Sequence, residues 1–314
     1  MHTIPVIDVA DAFAGRKVDQ AASEIDHALR TYGFFQMVGH GIETSVFDAA
    51  YDQMNLLVED QPESVREALR NKSGHPFYGL VKKYDPVEHR YVAEQFEINR
   101  FESPTEALAA GVSVEHIGHF GTNLWPGTEM PDFRPAVSEC FNRTSALISP
   151  LLSLLAHALG QAGDFFEPHM RRQSTSFAVS RYPYHHFMAP GSPVLEWHTD
   201  RETMVNMLHQ RGTYDGLQLK VPETGEVLAV PRVPGALVVN VGQLIEMWTN
   251  GRWPAVVHGV VSGDIDQWRQ SIVTFTAPDV EMPITPLPGT DGAQGTPFRV
   301  YDLAADLPRQ ELNA

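Results

Sequence analysis

His198-Thr199-Asp200 is the sharpest chemical feature of this chain. In an extended segment, side chains two apart point to the same side, so an imidazole and a carboxylate can converge on one point. A third donor is His258, which interrupts the apolar run Ala255-Val256-Val257-His258-Gly259-Val260-Val261 and needs a reason to be there. Two imidazoles and one carboxylate on one face leave coordination positions open, the arrangement of non-haem Fe(II) oxygen chemistry. Zinc competes for the same donors, and a lone His-x-Asp arises more often by chance or for structural hydrogen bonding. Further along, Arg269-Gln270-Ser271 opens a run into Ile272-Val273-Thr274-Phe275. Arg269 and Ser271 share a face by the same alternation, and a guanidinium with a hydroxyl can hold a carboxylate. Read alone, Arg269 is an edge-strand arginine with a solvated head. Tyr182 can add a phenolic donor from a neighbouring strand, although by itself it reads as a barrel-lining aromatic.

The elements that must position these residues are short β-branched, apolar runs over 177–182, 203–209, 217–221, 236–241, 255–261 and 271–276. Many short strands with turn punctuation indicate a sandwich or barrel. Asn250-Gly251 is a hairpin turn signal. Upstream, Ile4-Pro5-Val6-Ile7-Asp8 reads as a strand, and Ile25, Leu29 and Tyr32 stripe a helix that Gly33 ends. Phe34-Phe35-Gln36-Met37-Val38 follows as a strand. Ser45 with Asp48 marks the next helix start, and Phe47, Tyr51, Met54 and Val58 form its core-facing stripe. Residues 71–130 interleave Gly, Pro, Tyr and His and read as long loops. A helix is expected over 132–159, kinked or divided at Pro150, with Cys140 as a small core residue. The tail from Pro286 reads as loop until an ordered segment at 298–303.

The 314 residues are 43% hydrophobic and 20% charged, enough for a sizeable core and unlike a disordered chain. Twenty-three Lys+Arg against 39 Asp+Glu give a formal charge of −16. That balance disfavours nucleic acid or an anionic membrane as partner. Cys140 is the only cysteine, which excludes an internal disulfide, a CxxC redox site and a Cys-rich zinc site. No long apolar span and no basic-then-apolar leader is visible, so a cytoplasmic protein is expected. Walker A, G-x-G-x-x-G, G-x-S-x-G and H-E-x-x-H patterns are missing.

The order of motifs resembles the isopenicillin N synthase-like family of Fe(II)- and 2-oxoglutarate-dependent oxygenases. The resemblance covers most of the chain. It rests on the stretch from Tyr32 to Ile42, on Ser180-Arg181-Tyr182-Pro183, and on His198-Thr199-Asp200 followed by Gly216-Leu217-Gln218. The run from Pro234 to Gly242, Trp248-Thr249-Asn250-Gly251, His258 and Arg269-Gln270-Ser271 complete it. It implies a mainly β fold, a distorted jelly-roll (double-stranded β-helix) core flanked by helices. The implied layout is an N-terminal region (1–105), a helical connection with a support helix (106–170), the core (171–285) and a tail (286–314).

By position, the resemblance makes His198, Asp200 and His258 the iron ligands. Arg269 and Ser271, assisted by Tyr182, become the binders of the distal carboxylate of 2-oxoglutarate. Phe275 becomes a lining residue of the substrate pocket. Apart from the resemblance, Tyr78 and Phe96 in the irregular 71–130 region can help cover the substrate, although aromatic packing is their plainer role. The implied reaction uses O2 and 2-oxoglutarate to hydroxylate, desaturate or cyclise a small-molecule substrate, releasing succinate and CO2. Amino-acid-derived or other specialised metabolites are substrates by analogy alone. Two alternatives stay open: an oxidase that needs no 2-oxoglutarate, like isopenicillin N synthase itself, and a ligand-binding relative that has lost catalysis. Gly259 stands where the family commonly has Arg, and Gln243 where an acidic residue is common, which bears on local packing and pocket shape. His185, His186 and His209 are read as loop or pocket polarity, and His157 as a core-edge histidine.

Overall fold

The computed structural model describes residues 3–70, 78–84, 90–183, 188–288 and 295–305. The N-terminal half forms β1 (Val6–Asp8), α1 (Ala10–Phe13), α2 (Val18–Tyr32), β2 (Phe34–Val38), α3 (Thr44–Glu59) and α4 (Glu63–Ala68). Next come β3 (Gly79–Tyr84), β4 (Tyr91–Asn99), α5 (Pro104–Ala109), α6 (Phe133–Ser145) and α7 (Ile148–Ala158). The β-rich half holds β5 (Ser176–Tyr182), β6 (Pro193–His198), β7 (Val205–Gly212), β8 (Leu217–Lys220), β9 (Val227–Ala229) and β10 (Leu237–Val241). It closes with α8 (Gln243–Trp248), β11 (His258–Val261), β12 (Arg269–Thr276) and α9 (Val300–Ala305).

Eight strands form one sheet in the order β1-β2-β10-β7-β12-β5-β4-β3, and four form a second, β6-β11-β8-β9. β12 shows how alternation builds this. Its residues Gln270 and Thr274 face the helices, where the Gln270 amide donates to Asn55 on α3 and the Thr274 hydroxyl to Thr144 on α6. Arg269, Ser271, Val273 and Phe275 therefore face the opposite way, toward the small sheet. Between the sheets Phe34, Tyr182 and Val238 meet Val194, Leu217, Leu219 and Val260. Behind the large sheet Ile25, Leu29, Phe47, Tyr51, Met54 and Cys140 join the main core. Each such large side chain contributes about 1.5–3 kcal/mol by leaving water. The result is the expected jelly-roll core with a helical layer. No helix among the described residues is long and apolar enough to cross a membrane.

Several expectations need correction. Residues 71–130 are not only loops: β3 pairs with β4, and β4 with β5 over six positions from Glu94 to Asn99. The inward residues of β4 are Gln95, Glu97 and Asn99 and the outward ones Phe96 and Ile98, so the strand alternates with its polar face inward, the reverse of the usual pattern. β6 is equally unexpected, because Pro193, Glu196 and His198 dilute its apolar character. The helix expected over 132–159 is two helices, and Pro150 lies in the first turn of α7, where its missing N–H has no partner to lose. Asn250-Gly251 joins no strands. Both residues have positive φ, 50° and 81°, but the turn closes α8. α3 begins at Thr44 without a side-chain cap, so Ser45 lies inside it. Gly33 does end α2, in the left-handed conformation (φ 64°).

Candidate active site

β6 and β11 run antiparallel with His198 opposite His258, which sets the two rings 4.5 Å apart, centroid to centroid. Asp200 follows the end of β6. His198 Nε2 lies 3.7 Å from Asp200 Oδ1, and His258 Nε2 lies 3.5 Å from Oδ2. One ligand atom from each residue lies within 4.8 Å of the others. Among the described residues no other His, Cys, Asp or Glu trio has this geometry.

Each of the three is held from behind. His198 Nδ1 is 2.7 Å from the Glu196 carbonyl and His258 Nδ1 is 3.0 Å from that of Val256. An N–H at Nδ1 donates to the carbonyl and leaves the Nε2 lone pair for a metal. Asp200 Oδ2 accepts from the amides of Asn206 (2.7 Å) and Asn240 (2.8 Å). Burial, then the neighbouring His258, hold the His198 imidazole below its usual range. The donor set fits Fe(II): two neutral imidazoles and one anionic oxygen converge, with room for other ligands. Sequence reasoning missed Asn206 and Asn240, although Asn240 is a lone carboxamide in the otherwise apolar strand β10.

Arg269 opens β12 opposite Tyr182 on β5. Its guanidinium is fully buried and its central carbon stands 5.0 Å from the Tyr182 ring centroid. Tyr182 thus meets it with a ring face, not with its hydroxyl. Nη2 donates to Gln210 Oε1 at 3.2 Å, while Nε and Nη1 have no acceptor. A buried cation with orphaned donors costs several kcal/mol unless an anion completes it. A carboxylate supplies the missing charge and acceptors together. Ser271 is the next residue on the same face, buried between Ser180 and Gln210. Gln210, another unforeseen residue, thus touches the cation and borders the hydroxyl.

Residues 173–278 match the family described as the 2OG-Fe(II) oxygenase superfamily, and residues 4–128 match the N-terminal family described as non-haem dioxygenase in morphine synthesis. The chain belongs to the 2OG-Fe(II) oxygenase superfamily. It is a 2-oxoglutarate-dependent dioxygenase by family, with iron and 2-oxoglutarate as the family's cofactor and cosubstrate. The 2-oxoglutarate-dependent dioxygenase thnC of Trichoderma harzianum is 28% identical over 286 residues, covering 88% of this chain and 85% of the relative. Isopenicillin N synthase of Hapsidospora chrysogena is 27% identical over 325 residues, covering 97% and 90%. Among solved structures, the dioxygenase for auxin oxidation in rice superposes with a TM-score of 0.74 at 24% identity, covering 96% of this chain and 94% of that one. That last likeness speaks for the fold.

The remaining candidates of this oxygenase sort by the side of the sheet they face. Phe275 is half-buried on the inner face, opposite Asn206 and Ser176. Tyr78 is buried, with its ring against Gly121, and Phe96 points outward against Phe133 of α6. His209 faces away from the ligand trio; it stacks on Phe47 at 4.1 Å, and burial pushes its imidazole down to about 4. His157 is exposed on α7, not at a core edge, with Nδ1 on the Ser153 carbonyl. His185 and His186 lie outside the described residues. Both departures from the family pattern have local reasons. A Cβ at Gly259 would stand 2.9 Å from the Leu195 carbonyl oxygen of β6, so no side chain fits. The Gln243 amide donates to the Thr199 hydroxyl (2.8 Å), between His198 and Asp200.

Proposed function

We propose that His198, Asp200 and His258 hold Fe(II), and that Arg269, with Ser271 and the Tyr182 ring, receives the distal carboxylate of 2-oxoglutarate. Phe275 then borders the space left for a small-molecule substrate, with Tyr78 behind that wall. When bound, iron and 2-oxoglutarate supply an oxidant from O2, with succinate and CO2 as the cosubstrate's products. The chain's own residues orient and exclude. The Glu196 and Val256 carbonyls keep both Nε2 atoms aimed inward, and Asn206 and Asn240 fix the carboxylate. The inter-sheet apolar residues keep bulk water from the reacting atoms. Cytoplasmic residence belongs to the same proposal, supported by a single cysteine buried as a free thiol.

The observation that carries this reading is the fully buried Arg269 guanidinium with two N–H groups lacking acceptors, on the sheet face shared with Asn206. Anaerobic titration tests it: Fe(II) with 2-oxoglutarate should give a weak visible charge-transfer band, and turnover should release one succinate per product. Substrate oxidation at full rate without 2-oxoglutarate would overturn the cosubstrate assignment, in favour of an oxidase that grips a substrate carboxylate with Arg269.

A further inference from the structure

The inner face of β4 is polar where a sandwich interior is normally apolar: Gln95, Glu97 and Asn99 succeed one another and all are buried. Two of them are occupied. Gln95 accepts from the Ser180 hydroxyl, and the Asn99 backbone is bridged on both sides by the Asn123 carboxamide. Glu97 is different. It is 6% exposed, and no described side chain or backbone group hydrogen-bonds or ion-pairs with it. Its neighbours across the ladder are the small residues Gly79 on β3 and Ala178 on β5.

Register fixes its place. The rung of Glu97 continues through Ala178 to Val273 and Leu208, next to the rung of Ser176, Phe275 and Asn206. Three strand spacings, roughly 14 Å, separate β4 from β7, whose Asn206 holds Asp200. That is the span of a small molecule. Lys83, inward on β3, lies within electrostatic reach of both His198 and Glu97, which ties the two ends into one neighbourhood.

We propose that Glu97 is the specificity-determining residue of the substrate space and receives a cationic nitrogen of the substrate. This deepens the function proposed above and rests on it. A buried carboxylate without a partner is costly, and a cation with N–H donors is the ligand that removes that cost. In its absence burial pushes the carboxyl up to about 7, so the empty site is half-protonated near neutrality.

Calorimetry at pH 8 in an amine-free buffer tests it, on anaerobic protein loaded with Fe(II) and 2-oxoglutarate. The probes are butylamine, benzylamine, phenethylamine and tryptamine, each against its alcohol counterpart: butanol, benzyl alcohol, phenylethanol and tryptophol. At least one amine should bind about tenfold or more tightly than its alcohol. Glu97→Gln, and Glu97→Ala should the first misfold, should bring that ratio to within about threefold. If no amine outbinds its alcohol, or if the preference survives both variants, the proposal is overturned. The charge-transfer band of the wild type separates the two readings. Its absence counts against the Arg269 pocket, whereas the amine-to-alcohol ratio is read from heat and reports on Glu97.

Discussion

At the end where β6 meets β11, His198 and His258 each direct Nδ1 to a backbone carbonyl, and Asp200 accepts two carboxamide donors. At the start of β12, by contrast, Arg269 has one acceptor from the protein and two N–H groups without any. The first group is partly exposed, the His198 side chain at 36%, and Arg269 is fully buried, yet the exposed group is tied and the buried one is left open. On the proposed function, the difference follows from what each would meet. A metal ion accepts lone pairs and offers no hydrogen bonds that could turn the side chains toward it, so the protein must aim the donors. An organic carboxylate brings its own acceptors in a planar pair, so the protein need only present the complementary fork.

The largest expected effect breaks the tied end. Asp200→Ala removes a proposed ligand, and it leaves the Asn240 amide without its acceptor and the Asn206 amide with only the Thr203 hydroxyl, so iron-dependent succinate formation should vanish. Unfolding free energy should fall by about 1–3 kcal/mol, measured by denaturant titration. Full substrate-dependent turnover in this variant with added iron would dissolve the contrast.

Next comes the open end. Arg269→Ala should weaken 2-oxoglutarate binding by about 2–5 kcal/mol, roughly 30- to several-thousand-fold, with iron affinity nearly unchanged. Arg269→Lys should restore only part, because an ammonium lacks the planar fork. An unaltered 2-oxoglutarate affinity in a folded Arg269→Ala protein would show that the orphaned donors serve something else.

A smaller effect sharpens the tied end. Asn240→Ala should lower metal affinity by about 10–100-fold, read by competition with a chelator, while leaving the affinity of Arg269 for the cosubstrate intact. A further effect, on stability alone, concerns Glu97, whose carboxyl is raised from 4.5 to about 7 by burial. A raised folded-state value contributes stability below the unfolded value that is lost as pH rises through the folded one. Between pH 4 and pH 8 the wild type should therefore lose about 3 kcal/mol at most relative to Glu97→Gln. Parallel unfolding curves for the two proteins across that range would mean that the carboxylate is solvated.

The ligand trio and the Arg269–Ser271 pair are readable because they break an alternating apolar pattern with residue types that carry chemistry. His258 inside a valine run and Arg269 at the head of one have few bland explanations together. What escapes notice is written in residues with ordinary explanations. Asn206, Asn240 and Gln210 look like strand polarity until the ladder sets them beside Asp200 and Arg269. β4 does carry the period of two that marks a strand, in Gln95-Phe96-Glu97-Ile98-Asn99, but its inner face is the polar one and the Gly, Pro, Tyr and His around it read as loop. Asn250-Gly251 shows the converse case. Its turn chemistry is plain in the sequence, but two residues cannot say whether they join strands or end a helix.

The missing side chain at residue 259 also limits how this chain can be recombined with its kin. Its α-carbon lies against the Leu195 carbonyl, in the same ladder that sets His198 opposite His258. Grafting a relative's third-ligand strand, arginine included, onto the native 193–198 segment would push the two strands apart and separate the imidazoles. The strands would have to be exchanged together, as one inherited cassette, for a chimera to keep its histidines in register.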